Sequence, residues 1–599
     1  MRRGAFAGAL VLACCACATV PRSGPSQVPF RFERTHVVEV DIRLAPEAWD
    51  DLRSQHRCLF ADFASDACAA THFPSPYTWK TATVTIDGET LARVAIRKKG
   101  FGSTYVTDRP GLKLKLDKNV DGQRWRGMKR LTLNATNDPI RTCLAYDVLA
   151  DAKLPAPRCA FAHVVVNGRD LGIYPVVESI DRRFLRRHFG DDSGALYEGQ
   201  LNDFRADHRP IFERKRGPRG QPAIDRLTEA LERDPSLGTL EKIVDLDAFF
   251  TFWAAEVLIA RWDGYAGHLN NYFLYVHPDS GRIVFIPWGG NRATFERLKD
   301  PVLSGPDAPE SVIAHGLLTR RLYADDRGRA NYVEALRRLL RTSWNEDDLL
   351  ERIGRMESSL SRYAGERRST EAMTTFVRER RAVLERQLAD GPPAWTAELT
   401  ASTCMIPAGS IEGRFSTTWT ATTASDRDGE ASLEVQLTEG ALDVREPRAY
   451  AGPMTRFDAG VPIPPSSDGA ASIVITAQLP TRRLALFLAV PRDQLRAGAT
   501  IPLGPPNTGC PGSGPPYALL CLQGDLPCLQ PAFIASGQLT FEATTTTGGT
   551  IAGRFRAKLI RHPWALFEGH PSLWTEGPPD RSWLERALRM PQSRDQLPR

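Results

Sequence analysis

A Trp-Asp-Gly-Tyr turn at positions 262–265 carries the carboxylate that is best placed to do chemistry. The apolar run 249–260 predicts a helix, and the turn after it should expose the side chain of Asp263. Asn270 and Asn271 follow within eight residues. A carboxylate in such a place can orient or deprotonate a hydroxyl nucleophile, while an amide helps to position Mg²⁺. The alternative is that Asp263 only caps the turn.

A glycine-containing turn after a strand is the second feature that could do chemistry. Its backbone N–H groups can point at phosphate oxygens, and the residues concerned are Gly100, Gly102 and Ser103. The strand 112–116 alternates strictly, so Lys113 and Lys115 should share one face and add positive charge. Of the two lysines we prefer Lys113. The alternative is an ordinary hairpin turn followed by a solvated strand face.

The elements that must position these residues form a mixed, α+β region. Asp87-Gly88 and Asn167-Gly168 are hairpin signals between alternating runs. Strands are predicted at 37–42, 83–86, 91–96, 112–116, 163–166 and 171–177, and helices at 141–152 and through 310–390. The fold expected for residues 37–390 is therefore a mostly antiparallel sheet with helices.

The composition changes after Gly391-Pro392-Pro393, which we take as a linker at 391–395. Short alternating runs rich in Thr, Gly, Ser and Pro follow, and the sequence GSIEGRF at 409–415 has an echo, GTIAGRF, at 549–555. These patterns predict an all-β, sandwich-like domain over 396–562. Residues 563–599 are expected to be an irregular tail.

The charge balance of the chain argues against a nucleic acid partner. The chain has 77 Lys and Arg against 71 Asp and Glu, a net charge of +6, with no long basic run. This argues against nucleic acid as a ligand. No stretch reaches the ~18 apolar residues that a membrane-spanning helix needs.

The N-terminus has the pattern of a targeting segment. Two arginines precede a short apolar run at 5–13, and Val-Leu-Ala-Cys at 11–14 is typical of a bacterial lipobox. We therefore expect a signal peptide at 1–17, lipidation of Cys14 and a tether at 18–36. The protein would be exported and held at a membrane by lipid, facing the periplasm or the cell surface. An ordinary cleaved signal peptide with incidental cysteines is the alternative, and Cys17 is a fallback site.

Eight cysteines remain after the signal region, which suits an oxidising compartment. We expect local pairing of Cys58 with Cys68 and of Cys143 with Cys159. The last four would then cross-link the C-terminal region; they are Cys404, Cys510, Cys521 and Cys528. Spacing alone does not fix this connectivity.

Three blocks of sequence together resemble the CotH kinase-like family over roughly 37–389. They are RKKGFGS with LKLKLD (97–117), the segments from LTLNA to VVE (131–178), and WDGY with NNYFLY and FIPW (262–288). The resemblance implies an atypical, secreted kinase-like fold that binds ATP and can phosphorylate proteins. By analogy with kinases, the chain after the strand that ends at Glu178 would contact adenine, whereas a carboxylate that merely closes a hairpin strand is the alternative.

Two positions depart from the family pattern. Active members usually carry Trp-Asp-x-Asp where this chain has Trp-Gly-Gly-Asn, so Gly289 and Asn291 replace two carboxylates that would hold Mg²⁺. Thr142 stands where related chains often have a Glu that pairs with the phosphate-binding lysine. These departures put phosphoryl transfer in doubt, not membership of the family.

The sequence leaves three alternative functions. The first is an ATP- and Mg²⁺-dependent kinase acting on Ser or Thr of an unknown envelope or secreted protein. The second is a catalytically silent pseudokinase that serves as a binding or scaffold protein of the cell envelope. The third assigns polysaccharide binding to the C-terminal domain, although only Trp419 of the tryptophans lies within its predicted strands.

Overall fold

The structure is a computed structural model that describes residues 29–561, apart from several internal gaps. The gaps are 58, 65–67, 102–107, 137, 290–293, 296–307, 364–369, 397–403, 420–428, 439, 454–469, 481–482, 505–516, 524–530 and 545–548. Eight of the residues singled out above therefore lie outside the described part: Cys14, Cys17, Cys58, Gly102, Ser103, Asn291, Cys510 and Cys528. No helix of the described residues is long and apolar enough to span a membrane.

Seven strands and three helices make up the N-terminal part. They are β1 (Val37–Arg43), α1 (Pro46–Ser54), α2 (Leu59–Ala64), β2 (Lys80–Ile86), β3 (Glu89–Lys99), β4 (Gly111–Lys115), β5 (Arg130–Leu133), α3 (Pro139–Asp151), β6 (Cys159–Val166) and β7 (Arg169–Val177). The strands close into a barrel in the order β1-β2-β3-β4-β5-β7-β6. The predicted hairpins are confirmed as β2–β3 and β6–β7. A parallel pairing of β1 with β6 closes the ring.

The barrel interior is filled by every second side chain of its strands. Leu112, Leu114, Leu131 and Leu133 are all buried in one apolar cluster. Because successive strand residues point to opposite faces, the lysines of β4 must point outward. The apolar stripe thus fixes which face of β4 carries charge.

The second part adds a small sheet and eight helices. They are α4 (Arg182–Phe189), β8 (Ala195–Gly199), β9 (Glu213–Arg216), α5 (Pro222–Arg233), α6 (Leu237–Leu240), α7 (Leu246–Leu258), β10 (Tyr272–Val276), β11 (Ile283–Pro287), α8 (Leu317–Ala324), α9 (Asp326–Thr342), α10 (Glu346–Leu360) and α11 (Glu371–Gln387). The sheet has the order β11-β10-β8-β9. Helix α7 is buried along most of its length, as its nearly uninterrupted apolar sequence requires.

The C-terminal strands form one sheet. They are β12 (Ile406–Thr418), β13 (Gly429–Leu437), β14 (Gly440–Ala441), β15 (Arg445–Pro453), β16 (Ala470–Gln478), β17 (Arg483–Pro491), β18 (Thr500–Leu503), β19 (Tyr517–Gln523), β20 (Pro531–Thr544) and β21 (Thr550–Arg561). They pair into a continuous ten-stranded sheet, in which β12 pairs with both β21 and β13, and the sandwich-like packing expected from the sequence stays a prediction. Alternation of apolar and polar residues predicts the strands. It does not distinguish two packed sheets from one sheet that curls onto itself, because both have one buried face.

The internal sequence echo has a packing explanation. Its two copies lie on β12 and β21, which pair antiparallel so that Gly413 faces Phe555 and Phe415 faces Gly553. A Cβ at Gly413 would lie 2.8 Å from the Phe555 ring, and one at Gly553 would lie 3.1 Å from the Phe415 ring. Each glycine therefore leaves room for the aromatic ring of the other copy.

The two disulfides of the described residues test the pairing expected from the sequence. Cys143 bonds to Cys159, which confirms that prediction. Cys68, however, bonds to Cys404 rather than to Cys58, so the other local pairing is wrong and Cys404 is not kept within the C-terminal region. The physical reason is that Met405 N–H donates to the Phe63 carbonyl (2.8 Å), which brings the start of the C-terminal region against α2.

This cross-link sharpens the expected result of limited proteolysis at the linker. Cleavage near residue 395 should give two fragments that run together on a non-reducing gel and separate after reduction, because Cys68 and Cys404 lie on opposite sides of the cut. In the Cys404→Ser variant the fragments should separate without reductant. Cleavage confined to 310–390 would instead place the domain boundary elsewhere.

Candidate active site

The outer face of the barrel carries a group of cations, here called the basic face and defined by Arg97, Lys99 and Lys113. Arg97 is the cross-strand partner of Lys113. Lys98 points the other way and donates to the Arg53 carbonyl (2.7 Å), as the alternation of β3 requires. Lys113 and Lys115 share the outer face, in agreement with the prediction from the sequence.

The two lysines of the basic face are shielded from water. Burial, reinforced by the charge of Lys113, lowers the pKa of Lys99 to about 8. Burial and the neighbouring Arg97 likewise lower the pKa of Lys113 to about 8. Lys99 donates to the side-chain oxygen of Asn134, whereas Lys113 has no hydrogen bond or ion pair with any described residue. The basic face is therefore short of negative charge.

Two carboxylates of the second sheet lie opposite the basic face. The charge of Glu198, on β8, raises the pKa of Lys99 and Lys113 against the effect of burial. Glu198 and Glu213 are themselves bridged by Lys215, with Nζ–Oε2 distances of 2.5 and 2.6 Å. Glu198 is thus only partly available to the lysines, and an anion bound at the basic face would have little competition from it.

The Asp263 cluster is defined by Asp263, Asn270 and Asn271. Asn270 donates to Asp263 Oδ1 (3.0 Å), and the Nδ2 group of Asn271 donates to Oδ2 (2.7 Å) and to the backbone carbonyl (2.9 Å) of the same residue. The sequence prediction that these three residues lie together is consistent with this geometry. The amides hold the carboxylate in one orientation, which a turn cap alone would not require.

The Asp263 cluster and the basic face border the same region. Asn271 directly precedes β10, in which Phe273 is the cross-strand partner of Glu198. Asn271 is thus two positions along the chain from the residue that pairs with Glu198. Since the charge of Glu198 acts on Lys99 and Lys113, the candidate site is the region bounded by the basic face and the Asp263 cluster.

A buried ion pair shapes the turn that presents Asp263. Glu256 of α7 and Arg261 are 2% exposed or less at their side chains and meet at 3.1 Å. Glu256 also accepts the backbone N–H groups of Tyr265 (3.3 Å) and Ala266 (3.0 Å), so the turn folds around its carboxylate. Burial raises the pKa of Glu256 to about 7. A Cβ at Gly264 would overlap the Glu256 carboxylate, which explains the glycine.

Arg261 also ties the turn to the segment after β11. Its Nη2 group donates to the carbonyls of Asn271 (2.8 Å), Trp288 and Gly289 (3.0 Å). The Gly289 N–H donates to Tyr146 Oη of α3 (3.0 Å). Gly289 is therefore held from both sides.

Gly289 cannot easily take the family's carboxylate. Its φ is +69°, in the left-handed region, and a Cβ there would lie 2.6 Å from Asn271 Oδ1. An aspartate at 289 would displace the Asn271 amide from Asp263. The backbone conformation at position 289, and not only the residue type, therefore disfavours the aspartate of the family pattern.

The other predicted site residues have structural partners. Gly100 (φ +131°) accepts a hydrogen bond from Tyr77 Oη at its carbonyl (3.1 Å). The Glu178 carboxylate accepts from Arg158 (2.7 Å) and Arg187, and its N–H donates to the Arg158 carbonyl (2.9 Å). That the chain after this strand contacts adenine through its backbone stays a prediction. Thr142 bonds back to Asp138 within α3 (3.3 Å).

Four residues of the site were missed by reading the sequence: Lys99, Glu198, Glu256 and Arg261. Lys99 alternates with Arg97, a signal that was present in the RKKG run. Glu256 is the one acidic residue in the apolar run 249–260, and such a residue needs a buried partner. Glu198 gives no sequence signal, since it reaches the site only through strand pairing.

The fit of Mg²⁺ to these residues is partial. Because the Asn271 amide nitrogen faces Asp263, its oxygen lies toward Gly289 and offers a neutral ligand. Asp263 offers one carboxylate, and the described ranges contain no group of three or more His, Cys, Asp or Glu able to hold a metal. Mg²⁺ often takes one carboxylate and completes its shell with phosphate oxygens and water. These residues fit the ion only together with such a ligand.

Comparison with known proteins identifies the region that contains this site. Residues 96–384, just under half of the chain, match the family described as CotH kinase protein. The inner spore coat protein H of Bacillus subtilis (strain 168) is 27% identical over 184 residues, which are 27% of this chain and 49% of that protein. The chain therefore spans about half the length of this relative.

A solved structure was also matched. The Helicobacter pylori proinflammatory kinase CtkA aligns over 54% of this chain and 96% of its own, with 9% identity and a TM-score of 0.22. This TM-score is too low to support any inference about this chain.

Proposed function

We propose that the chain binds ATP at the basic face and transfers its γ-phosphoryl group to Ser or Thr hydroxyls of envelope or secreted proteins. The match of residues 96–384 to the family described as CotH kinase protein supports this proposal. The observation that carries this proposal is the pair Lys99 and Lys113. They are half-buried, of lowered pKa and without an ion pair to a described carboxylate. Asp263, the candidate base, is held in one orientation by the Asn270 and Asn271 amides. Polyphosphate supplies the missing charge.

Each residue then has one task. Lys113 and Lys99 bind phosphate oxygens, and Asp263 accepts the proton of the substrate hydroxyl. The hydroxyl oxygen forms a bond to the γ-phosphorus while the bond to the β,γ-bridging oxygen breaks, so that ADP leaves. Mg²⁺, held through Asn271 and the phosphates, would neutralise charge on the nucleotide.

A silent, scaffold-like protein is the second candidate, and two observations favour it. Both Asp263 oxygens already accept amide hydrogen bonds, and Gly289 replaces a carboxylate at a position where a side chain would meet Asn271. A protein with this site could bind nucleotide without transferring phosphate.

Calorimetry with ATP and Mg²⁺ tests the binding step. Lys113→Met should weaken binding at least tenfold because an unpartnered ammonium facing phosphate is lost. Lys115→Met is the matched control on the same strand and face, and it should change the affinity by less than about threefold. Equal effects of the two variants would contradict the assignment.

The pH dependence of ATP affinity follows from the same lysines. A lysine carries charge below its pKa, so affinity should be retained near pH 7 and should fall as the pH rises through about 8. Lysines of ordinary pKa would give a fall only near pH 10.

We also propose export and lipidation at Cys14, which lies outside the described residues. The disulfides of the structure are compatible with an oxidising compartment. Cells labelled with a radioactive fatty acid should mark the wild type but not Cys14→Ser. Labelling lost only in Cys17→Ser would move the site to Cys17.

A further inference from the structure

A polar cavity lies between α3, the end of α4 and the segment before β1. Its volume is about 440 Å³. We call it the α3 cavity and define it by the titratable residues of its lining other than Tyr146, which are Arg34, Asp147, Lys153, Arg158, Arg187 and His188. None of these residues belongs to the basic face or to the Asp263 cluster.

The lining of the α3 cavity has more positive than negative charge. Arg34 is paired with Asp147. Arg158 and Arg187 share a single carboxylate, that of Glu178. Lys153 has no ion pair or hydrogen bond from its side chain to any residue that the structure describes. Four cations thus face two carboxylates, which leaves an excess of two positive charges.

Two nitrogen atoms at the cavity also lack partners. Arg34 Nε and His188 Nε2 are shielded from water and form no hydrogen bond within the described part of the chain. Buried polar atoms are normally satisfied by protein, water or a ligand. Burial, together with the charge of Arg187, lowers the pKa of His188 to about 4, as expected in a positive environment.

We propose that the α3 cavity is a binding site for a phosphate-bearing anion. A phosphate group carries close to two negative charges at neutral pH and several acceptor oxygens, which matches the excess charge and the unused Nε–H donor of Arg34. Guanidinium groups bind it through paired N–H donors, and Arg34, Arg158 and Arg187 each keep N–H groups beyond those already engaged. The site does not depend on nucleotide binding at the basic face.

Calorimetric titration of the full chain with sodium phosphate, against sodium chloride of equal ionic strength, tests this site. Lys153→Glu should weaken phosphate binding at least tenfold, and Lys153→Gln, which removes charge without reversing it, should weaken it less. The matched control is Lys242→Glu, an exposed lysine away from the cavity that should bind like the wild type. A parallel titration with O-phosphoserine distinguishes a free phosphate ion from a phosphorylated side chain as the ligand.

Lys113→Met separates this site from the candidate nucleotide site. Phosphate binding that persists in Lys113→Met and is lost in Lys153→Glu supports the α3 cavity, whether or not ATP binds. Binding that is lost only in Lys113→Met places the anion at the basic face and overturns the proposal. Absence of phosphate binding to the wild type overturns it as well.

Discussion

Asp263→Asn is expected to reduce phosphoryl transfer by about 10²–10⁴-fold while binding of metal-free ATP changes little, since the variant keeps the shape of the side chain but cannot accept a proton. The Asn270 and Asn271 amides hold the wild-type carboxylate through both oxygens. Transfer of radioactive γ-phosphate to a generic Ser/Thr acceptor protein and calorimetric binding of metal-free ATP measure the two effects separately.

Asn270→Ala is the matched control for this variant. It removes one hydrogen bond to Asp263 and leaves the carboxylate in place, so transfer should fall less than about tenfold. Full activity of Asp263→Asn would show that Asp263 is a turn residue. A wild type that binds ATP but transfers no phosphate would favour the silent, scaffold-like candidate.

Local patterns in the sequence were enough to predict the parts of the fold that form between neighbouring segments. The β2–β3 and β6–β7 hairpins and α3 were predicted because alternation, turn residues and helical spacing act over a few residues. The parallel pairing of β1 with β6 joins segments more than one hundred residues apart. No local pattern encodes such a pairing.

The candidate site also has features that local sequence predicts and features that depend on distant segments. Asp263, Asn270 and Asn271 could be grouped from the sequence because they are close along the chain, and the face of Lys113 follows from alternation. Their function stays a prediction. Glu198 and the Cys68–Cys404 disulfide depend on distant chain segments that meet only in the folded protein. Alternation likewise predicted the C-terminal strands but not their closure into one sheet.

Loss of the buried guanidinium of Arg261 is expected to have the largest effect on stability. Arg261→Met should lower the free energy of unfolding by about 3–5 kcal/mol, because it leaves Glu256 buried without its cation. It also removes the donors that hold the carbonyls of Asn271 and Gly289. Denaturant unfolding followed by tryptophan fluorescence measures the change.

The matched control makes the same substitution in a more exposed ion pair of the second part of the chain. Arg282 lies 3.3 Å from Asp245, with 41% and 30% of the two side chains exposed, so Arg282→Met should cost no more than about 1 kcal/mol. Glu256→Gln combined with Arg261→Met should recover part of the loss, since no charge is then left buried. If the double variant is as unstable as Arg261→Met, the lost contacts to the Asn271 and Gly289 carbonyls, not the buried charge, account for the effect. If Arg261→Met is no less stable than Arg282→Met, the ion pair does not organise the Asp263 turn.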